Sequence, residues 1–133
     1  MITLNRPPTL IFKWTHTTLT CPPLDLAYVA GALVASVFEN REVDAVSAAP
    51  KQLLAVSNSR FLLHGLSSED IAEWIPGSTT VIGISCMFFH EWPLIREIIH
   101  VIRQRCPMHI SSLAVSMSVP RLSSACRTVL PLM

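Results

Sequence analysis

Glycine is scarce in this chain: four in 133 residues, at positions 31, 65, 77 and 83. A dinucleotide fingerprint needs G-x-G-x-x-G and a P-loop needs G-x-x-x-x-G-K-[ST], because the backbone must come close to phosphate oxygens, and these four positions make neither. Phosphate cradles of both kinds are excluded. Charge is thin as well, 14% of residues, with Lys+Arg 10 against Asp+Glu 9 and a net charge of +1. No basic field exists to gather nucleic acid or anionic lipid, so nucleic acid is not expected as a partner. Acids do not cluster at strand ends either: Asn5, Arg6 and Ser85 stand where a receiver domain would hold Mg²⁺. Cysteines 21, 86, 106 and 126 form no close pair and no C-x-x-C, and no secretory leader precedes them. They read as reduced thiols, and a cytoplasmic location is expected. The longest uncharged apolar stretch, Leu26 to Phe38, falls short of the roughly 20 residues that cross a bilayer, so no membrane span is expected.

Hydrophobic residues make up 50% of the chain and prolines number 10. Such a composition must bury a core, and its length suits one domain of about 100–200 residues. Ile2 to Asn5 alternates as a short strand that Pro7-Pro8 stops. The segment from Pro7 to Pro23 reads as a long loop, the kind that binds ligands. Asp25 is placed to cap a helix from Leu26 to Phe38, apolar all round and therefore expected to be buried on nearly every side. Glu42 to Val46 is a weak strand, and Pro50 to His64 has no clear period. Ser67 with Asp70 resembles a capping box that opens a helix from Ser68 to Ile75.

Val81-Ile82-Gly83-Ile84 is the strongest strand signal, apolar on both faces as in the middle of a covered parallel sheet. A loop from Ser85 to His90 leads to the clearest amphipathic helix, Trp92 to Arg105. There Ile95, Ile98, Ile99 and Ile102 fall at i, i+3, i+4 and i+7, Pro93 suits the first turn, and Pro107 enforces the end. A further strand is expected from about Ile110 to Val115 at most. The alternation of strands and helices predicts an α/β fold with an open parallel sheet and flanking helices. In such sheets ligands sit beyond the carboxyl ends of the strands, so the loops Asn5 to Pro23 and Ser85 to His90 should face one crevice.

Cys86 followed by His90 is the one pairing that could serve a hydrolase, but no glycine elbow or orienting acid accompanies it; a small buried thiol closing a strand end is the plainer reading. His16, His64, His100 and His109 are scattered without ligand spacing, so no metal site is expected. Met87-Phe88-Phe89 could floor a pocket for a large planar cofactor or plug the end of the core.

Three stretches, taken in order, are similar to a known family. Pro22 to Ala30, then Gly65-Leu66-Ser67-Ser68-Glu69-Asp70-Ile71, then Val81 to Phe88 with the helix Trp92 to Arg105, resemble the N-terminal cobalamin-binding domain of radical S-adenosylmethionine enzymes. The branch most like it is the one related to the anaerobic magnesium-protoporphyrin ester cyclase. The resemblance implies a Rossmann-like (flavodoxin-like) sheet over residues 1–110 that holds cobalamin across the carboxyl ends of its strands. Carried onto this sequence, the cofactor-binding residues would be Pro7, Pro8, Thr9, Pro23, Leu24, Ser85, Cys86, Met87 and Phe88. No histidine here has Asp two residues before it, so the resemblance implies no D-x-H-x-x-G ligand to cobalt. Asp25 stands where the family commonly has glycine, which puts a carboxylate near the pocket.

The cluster motif C-x-x-x-C-x-x-C is absent, so no iron-sulfur cluster and no catalysis by this chain are expected. Where the resemblance implies a Gly-Gly-Glu-His-type loop, the sequence reads Leu113-Ala114-Val115-Ser116-Met117. Codons that can encode that stretch spell Gly-Gly-Glu-His in a shifted frame, so residues 111–133 read as an aberrant tail after a frameshift near Ile110 to Ser112; the alternative is an ordinary divergent strand and tail. The C-terminal part of the fold would then be incomplete, the radical S-adenosylmethionine catalytic domain lost from this chain, and cobalamin binding weakened or lost. The function expected is a cobalamin-binding module, a truncated fragment of a radical S-adenosylmethionine enzyme. The alternative is a stand-alone α/β protein-interaction domain.

Overall fold

The structure is a computed structural model and describes residues 1–14, 22–57, 59–86, 88–105, 112–117 and 128–129. Its main sheet has five strands in the order β3-β1-β6-β7-β8, from β1 (Ile2–Arg6), β3 (Asn40–Asp44), β6 (Val81–Cys86), β7 (Ser112–Met117) and β8 (Thr128–Val129). The first four are mutually parallel and β8 pairs antiparallel with β7. β6 occupies the centre, as its two-sided apolar character predicts. β1 ends at Arg6 because neither Pro7 nor Pro8 has an N–H to give a ladder.

Pairing fixes which side chains share a face. Leu4 lies opposite Gly83 and Asn5 opposite Ile84, so Ile2 and Leu4 face one way while Ile82, Ile84 and Cys86 face the other. On the second face the buried isoleucines of α4 (Trp92–Arg105) meet Ile71, Ala72 and Ile75 of and beside α3 (Ser68–Trp74), forming the principal core. The stripe Ile95, Ile98, Ile99 and Ile102 is wholly buried, as its spacing requires. The capping box at α3 is present: Asp70 N–H donates to Ser67 Oγ at 3.1 Å, and Ser67 N–H donates back to the Asp70 carboxylate at 3.3 Å. On the first face α1 (Leu24–Ala35) packs through Leu26, Ala30 and Leu33 onto Ile2 and Leu4.

Several expectations need correction. α1 is not buried on nearly every side: only Leu26 and Ala30 of the helix are, because the sheet lies beneath it and no described element lies above. It also starts earlier, with Pro23 rather than Asp25 at its N-cap. Asp25 falls in the first turn, and the Ala27 N–H to Pro23 carbonyl bond of 3.0 Å closes that turn. At its far end the Phe38 N–H bonds Leu33 O at 2.9 Å and the Val37 N–H bonds Val34 O at 3.0 Å, the pairing of a Schellman motif. This leaves Val37 in the left-handed region at φ 62°, a place that favours glycine.

The weak strand expected over Glu42 to Val46 is β3, ending at Asp44, whose carboxylate caps the short helix α2 (Ala45–Ala48). The segment from Pro7 to Pro23 is not all loop, and Pro50 to His64 is not without order. β2 (Thr9–Phe12) pairs antiparallel with β5 (Phe61–His64), which pairs with β4 (Leu53–Ala55), giving a second three-stranded sheet. Gly65 ends β5 at φ +123°, where a Cβ would stand 2.6 Å from the Ala45 carbonyl oxygen and 3.2 Å from Pro8 Cβ. No other residue type fits this close approach. The last parallel strand reaches Met117 rather than stopping at Val115, and it holds register with β6 over six positions. The rest of the expected tail, residues 111, 118–127 and 130–133, lies outside the described residues, as do Ile110, His16, Cys21, Met87, Cys106, Pro107, His109 and Cys126. No described helix is long and apolar enough to cross a membrane.

Candidate functional site

β1 and β6 are neighbours whose chains leave in opposite directions across the sheet, toward β3 and toward β7. Their carboxyl ends therefore part over a crevice, the place where open parallel sheets receive ligands. On the α1 side the mouth is polar and self-paired. Arg6 reaches Asp44 at 3.3 Å, and Asp44 accepts from Val46 N–H at 3.0 Å, Ser47 N–H at 3.2 Å and Ser47 Oγ at 2.7 Å. Burial alone would push the Asp44 carboxyl up, but the Ser47 hydroxyl and N–H, the Arg6 charge and the Val46 N–H together hold it below its ordinary value. Beside them Ser85 Oγ donates to the Asp25 carboxylate, tying the first turn of α1 to the end of β6. A carboxylate at this helix N-terminus offsets the positive end of the macrodipole, so the crevice is a poor seat for a phosphate.

The α3/α4 side of the same strand ends is buried. Asn5 is fully enclosed, and neither its Oδ1 nor its Nδ2 has a hydrogen-bond partner among the described residues. Cys86 packs within the principal core, and burial, then the nearby Glu91 carboxylate, push its thiol up. A thiolate nucleophile is favoured by the opposite shift, and the Cys86 thiol donates to the Phe88 carbonyl oxygen at 3.5 Å. Glu91 is itself buried, which pushes its carboxyl up against the opposing pull of His90, the Leu10 and Phe88 backbone and Arg6.

The residues expected to bind a cofactor divide accordingly. Pro7 and Pro8 are buried behind the end of β1, and Thr9 is half-buried at the start of β2. Pro23 is half-buried and Leu24 is 68% exposed at the head of α1. Ser85 and Cys86, buried, are the last residues of β6, with side chains on opposite faces; Phe88 beyond them is 50% exposed. The Ser85–Asp25 bond thus brings Pro23 and Leu24 at the head of α1 toward the end of β6, Phe88 lies two residues beyond that strand against His90, and Cys86 belongs to the core.

Reading Pro7 to Pro23 as loop hid a line of rings at the same end of the molecule. Trp14 stacks on Phe12 with centroids 4.6 Å apart, and Phe12 meets Phe61 at 4.7 Å. Phe61 faces His90 at 6.5 Å, and His90 faces Phe88 at 5.5 Å. This column joins the hairpin sheet to the β6–α4 loop. The spacing Phe12-x-Trp14, two aromatic rings at and just past the end of β2, was its available signal. A separate open groove of about 570 Å³ runs beside Trp92, Arg96, His100 and Arg103 on α4, away from the strand ends. Among the described residues no group of three or more His, Cys, Asp or Glu side chains is placed to hold a metal ion. No protein-family model matches the chain, and no curated protein and no solved structure matches it.

Proposed function

We propose that this chain is a corrinoid-binding module of the flavodoxin-like kind, serving a radical S-adenosylmethionine catalytic domain and performing no catalysis itself. One observation carries the reading: the Ser85–Asp25 bond brings the head of α1, with its exposed Leu24, to the carboxyl end of β6, where open parallel sheets receive ligands and beyond which Phe88 is half exposed, while Arg6 and Asp44 are paired with each other. A corrin ring has a broad apolar face edged with neutral amide arms, and it wants flat hydrophobic contact more than free charge. The residues fit such a group on these grounds; the fully enclosed Asn5 amide lies on the other side of the strand ends and takes no part. Leu24, Phe88 and the backbone around Pro23 would hold the ring, and Ser85 would keep the Asp25 carboxylate turned from it. The cobalt ion, when bound, would supply the redox and methyl-carrying chemistry.

Titration with hydroxocobalamin tests the reading. Binding should shift the corrin absorption bands and quench the Trp14 fluorescence, and Phe88→Asp with Leu24→Asp should abolish both while leaving the circular dichroism intact. An unchanged corrin spectrum at saturating protein would refute the proposal. Unchanged affinity in the double variant would refute the placement.

A further inference from the structure

The outer side of α1 is apolar, exposed and free of ionisable groups except Tyr28 from Leu26 to Phe38. Its inner line is Leu26, Ala30 and Leu33, so the line turned farthest from the sheet is Leu24, Tyr28, Gly31 and Ala35, at i, i+4, i+7 and i+11. Tyr28 is 82% exposed, and beyond the helix Val37 is 92% exposed, with Val34 and Phe38 beside this line. A contiguous apolar patch of this size on a small protein marks an interaction surface. We infer that this face pairs with the same face of a second copy of the chain, the two α1 helices lying antiparallel across a two-fold axis.

Three features select a second copy as the occupant. An antiparallel two-fold midway along the outer line sets Tyr28 of each helix over Gly31 of the other, and Leu24 over Ala35. Gly31 offers a hole at that place, since a Cβ added there would meet nothing within 4 Å. Glycine in an exposed helix interior costs roughly 1 kcal/mol relative to alanine, and the monomer shows no contact that requires it. The exposed side chains of Tyr28, Val29, Val34, Val37 and Phe38 present on the order of 600 Å² per copy, so pairing could bury up to about 1,200 Å² in total, at the lower end of stable interfaces. Finally, the one carboxylate of α1, Asp25, sits in its first turn, so an antiparallel pair keeps the two copies of it at opposite ends of the interface, and antiparallel helix dipoles attract. The inference goes beyond the corrinoid reading and does not depend on it.

Sedimentation equilibrium of the full chain, over about two decades of micromolar concentration, should show a monomer–dimer equilibrium. Gly31→Leu fills the hole and should raise the dimer Kd at least about ten-fold while leaving the monomer's thermal stability equal or higher, since leucine is the better helix former. Tyr28→Lys should weaken the dimer by a similar factor through like-charge approach. Mixing Tyr28→Cys chains with Gly31→Cys chains under mild oxidation should give a cross-linked dimer that Val37→Cys mixed with Gly31→Cys does not. A monomer at every concentration would overturn the inference, as would a dimer indifferent to both Gly31→Leu and Tyr28→Lys. Co-sedimentation of the chain with phosphatidylcholine vesicles in place of dimerisation would overturn it as well, by making the face a membrane-binding one.

Discussion

α1 and α4 cover opposite faces of one sheet, and the difference between them is the difference between apolar content and apolar period. α4 is the less hydrophobic helix, yet all four residues of its isoleucine stripe are buried, because charge on its outer side settles which side faces in. α1 has the greater apolar content and buries two residues of twelve. A helix that is hydrophobic all round carries no information about its orientation, and its composition expects a second layer that the described residues of this chain do not supply.

The largest effect that can test this contrast lies in the α4 stripe. Ile98 is fully buried between the sheet and α3, so Ile98→Ala should lower the unfolding free energy by about 3 kcal/mol in urea denaturation. A loss under about 1 kcal/mol would mean that the principal core is loosely packed and that the two helices differ less than their burial indicates.

A smaller effect of opposite sign belongs to the end of α1. Val37 takes the left-handed position of a Schellman motif at φ 62° while its side chain is almost wholly in solvent, so it bears the backbone cost without packing in return. Val37→Gly should stabilise the fold by about 1 kcal/mol. No gain in thermal midpoint would show that the valine side chain has a partner that offsets the strain.

Glu91 sharpens the comparison from the α4 side, where burial extends even to a carboxylate just ahead of the helix. Its folded-state value is raised above the ordinary 4.5, so the folded state binds this proton more tightly than the unfolded one and stability falls as pH rises through that interval. Below it both states are protonated and the penalty vanishes. Glu91→Gln should therefore be near neutral at about pH 4 and stabilising at about pH 7. Equal effects at the two values would show that the carboxylate is solvated.

Much of the principal sheet was legible in the sequence because its signals are local: the apolar run of β6, the stripe of α4, the capping residues Ser67 and Asp70, and the prolines that stop β1. The hairpin sheet was not. β2, β4 and β5 are three or four residues each, and β2 finds its partner β5 far along the chain, across α1, β3 and α2, so no local turn announces the pairing. The candidate site was half legible. The carboxyl-edge rule pointed to the two segments that follow β1 and β6, but alternation along β6 sends Cys86 into the core and Ser85 to the opposite face beside Asp25, and a loop named as a unit hides that division. Asn5 and Arg6 were legible only as strand-end residues that are not acids, because nothing in their immediate sequence distinguishes a buried amide or a cross-strand ion pair with Asp44 from polar side chains in water.

The smallest expected effect is the most direct test of the contrast. Tyr28 lies on the far side of α1 from Leu26 and Ala30, and with 82% of its surface in solvent it has almost no apolar contact to lose within its own chain. At a concentration where the chain is monomeric, Tyr28→Gln should change the unfolding free energy by no more than about 0.5 kcal/mol, the usual limit for surface substitutions, and glutamine keeps the helix propensity. The same experiment on Ile98 removes a side chain that touches core on every side. If Tyr28→Gln instead costs as much as a core truncation in dilute solution, the tyrosine packs on its own chain, and the outer face of α1 is a covered layer rather than a free one.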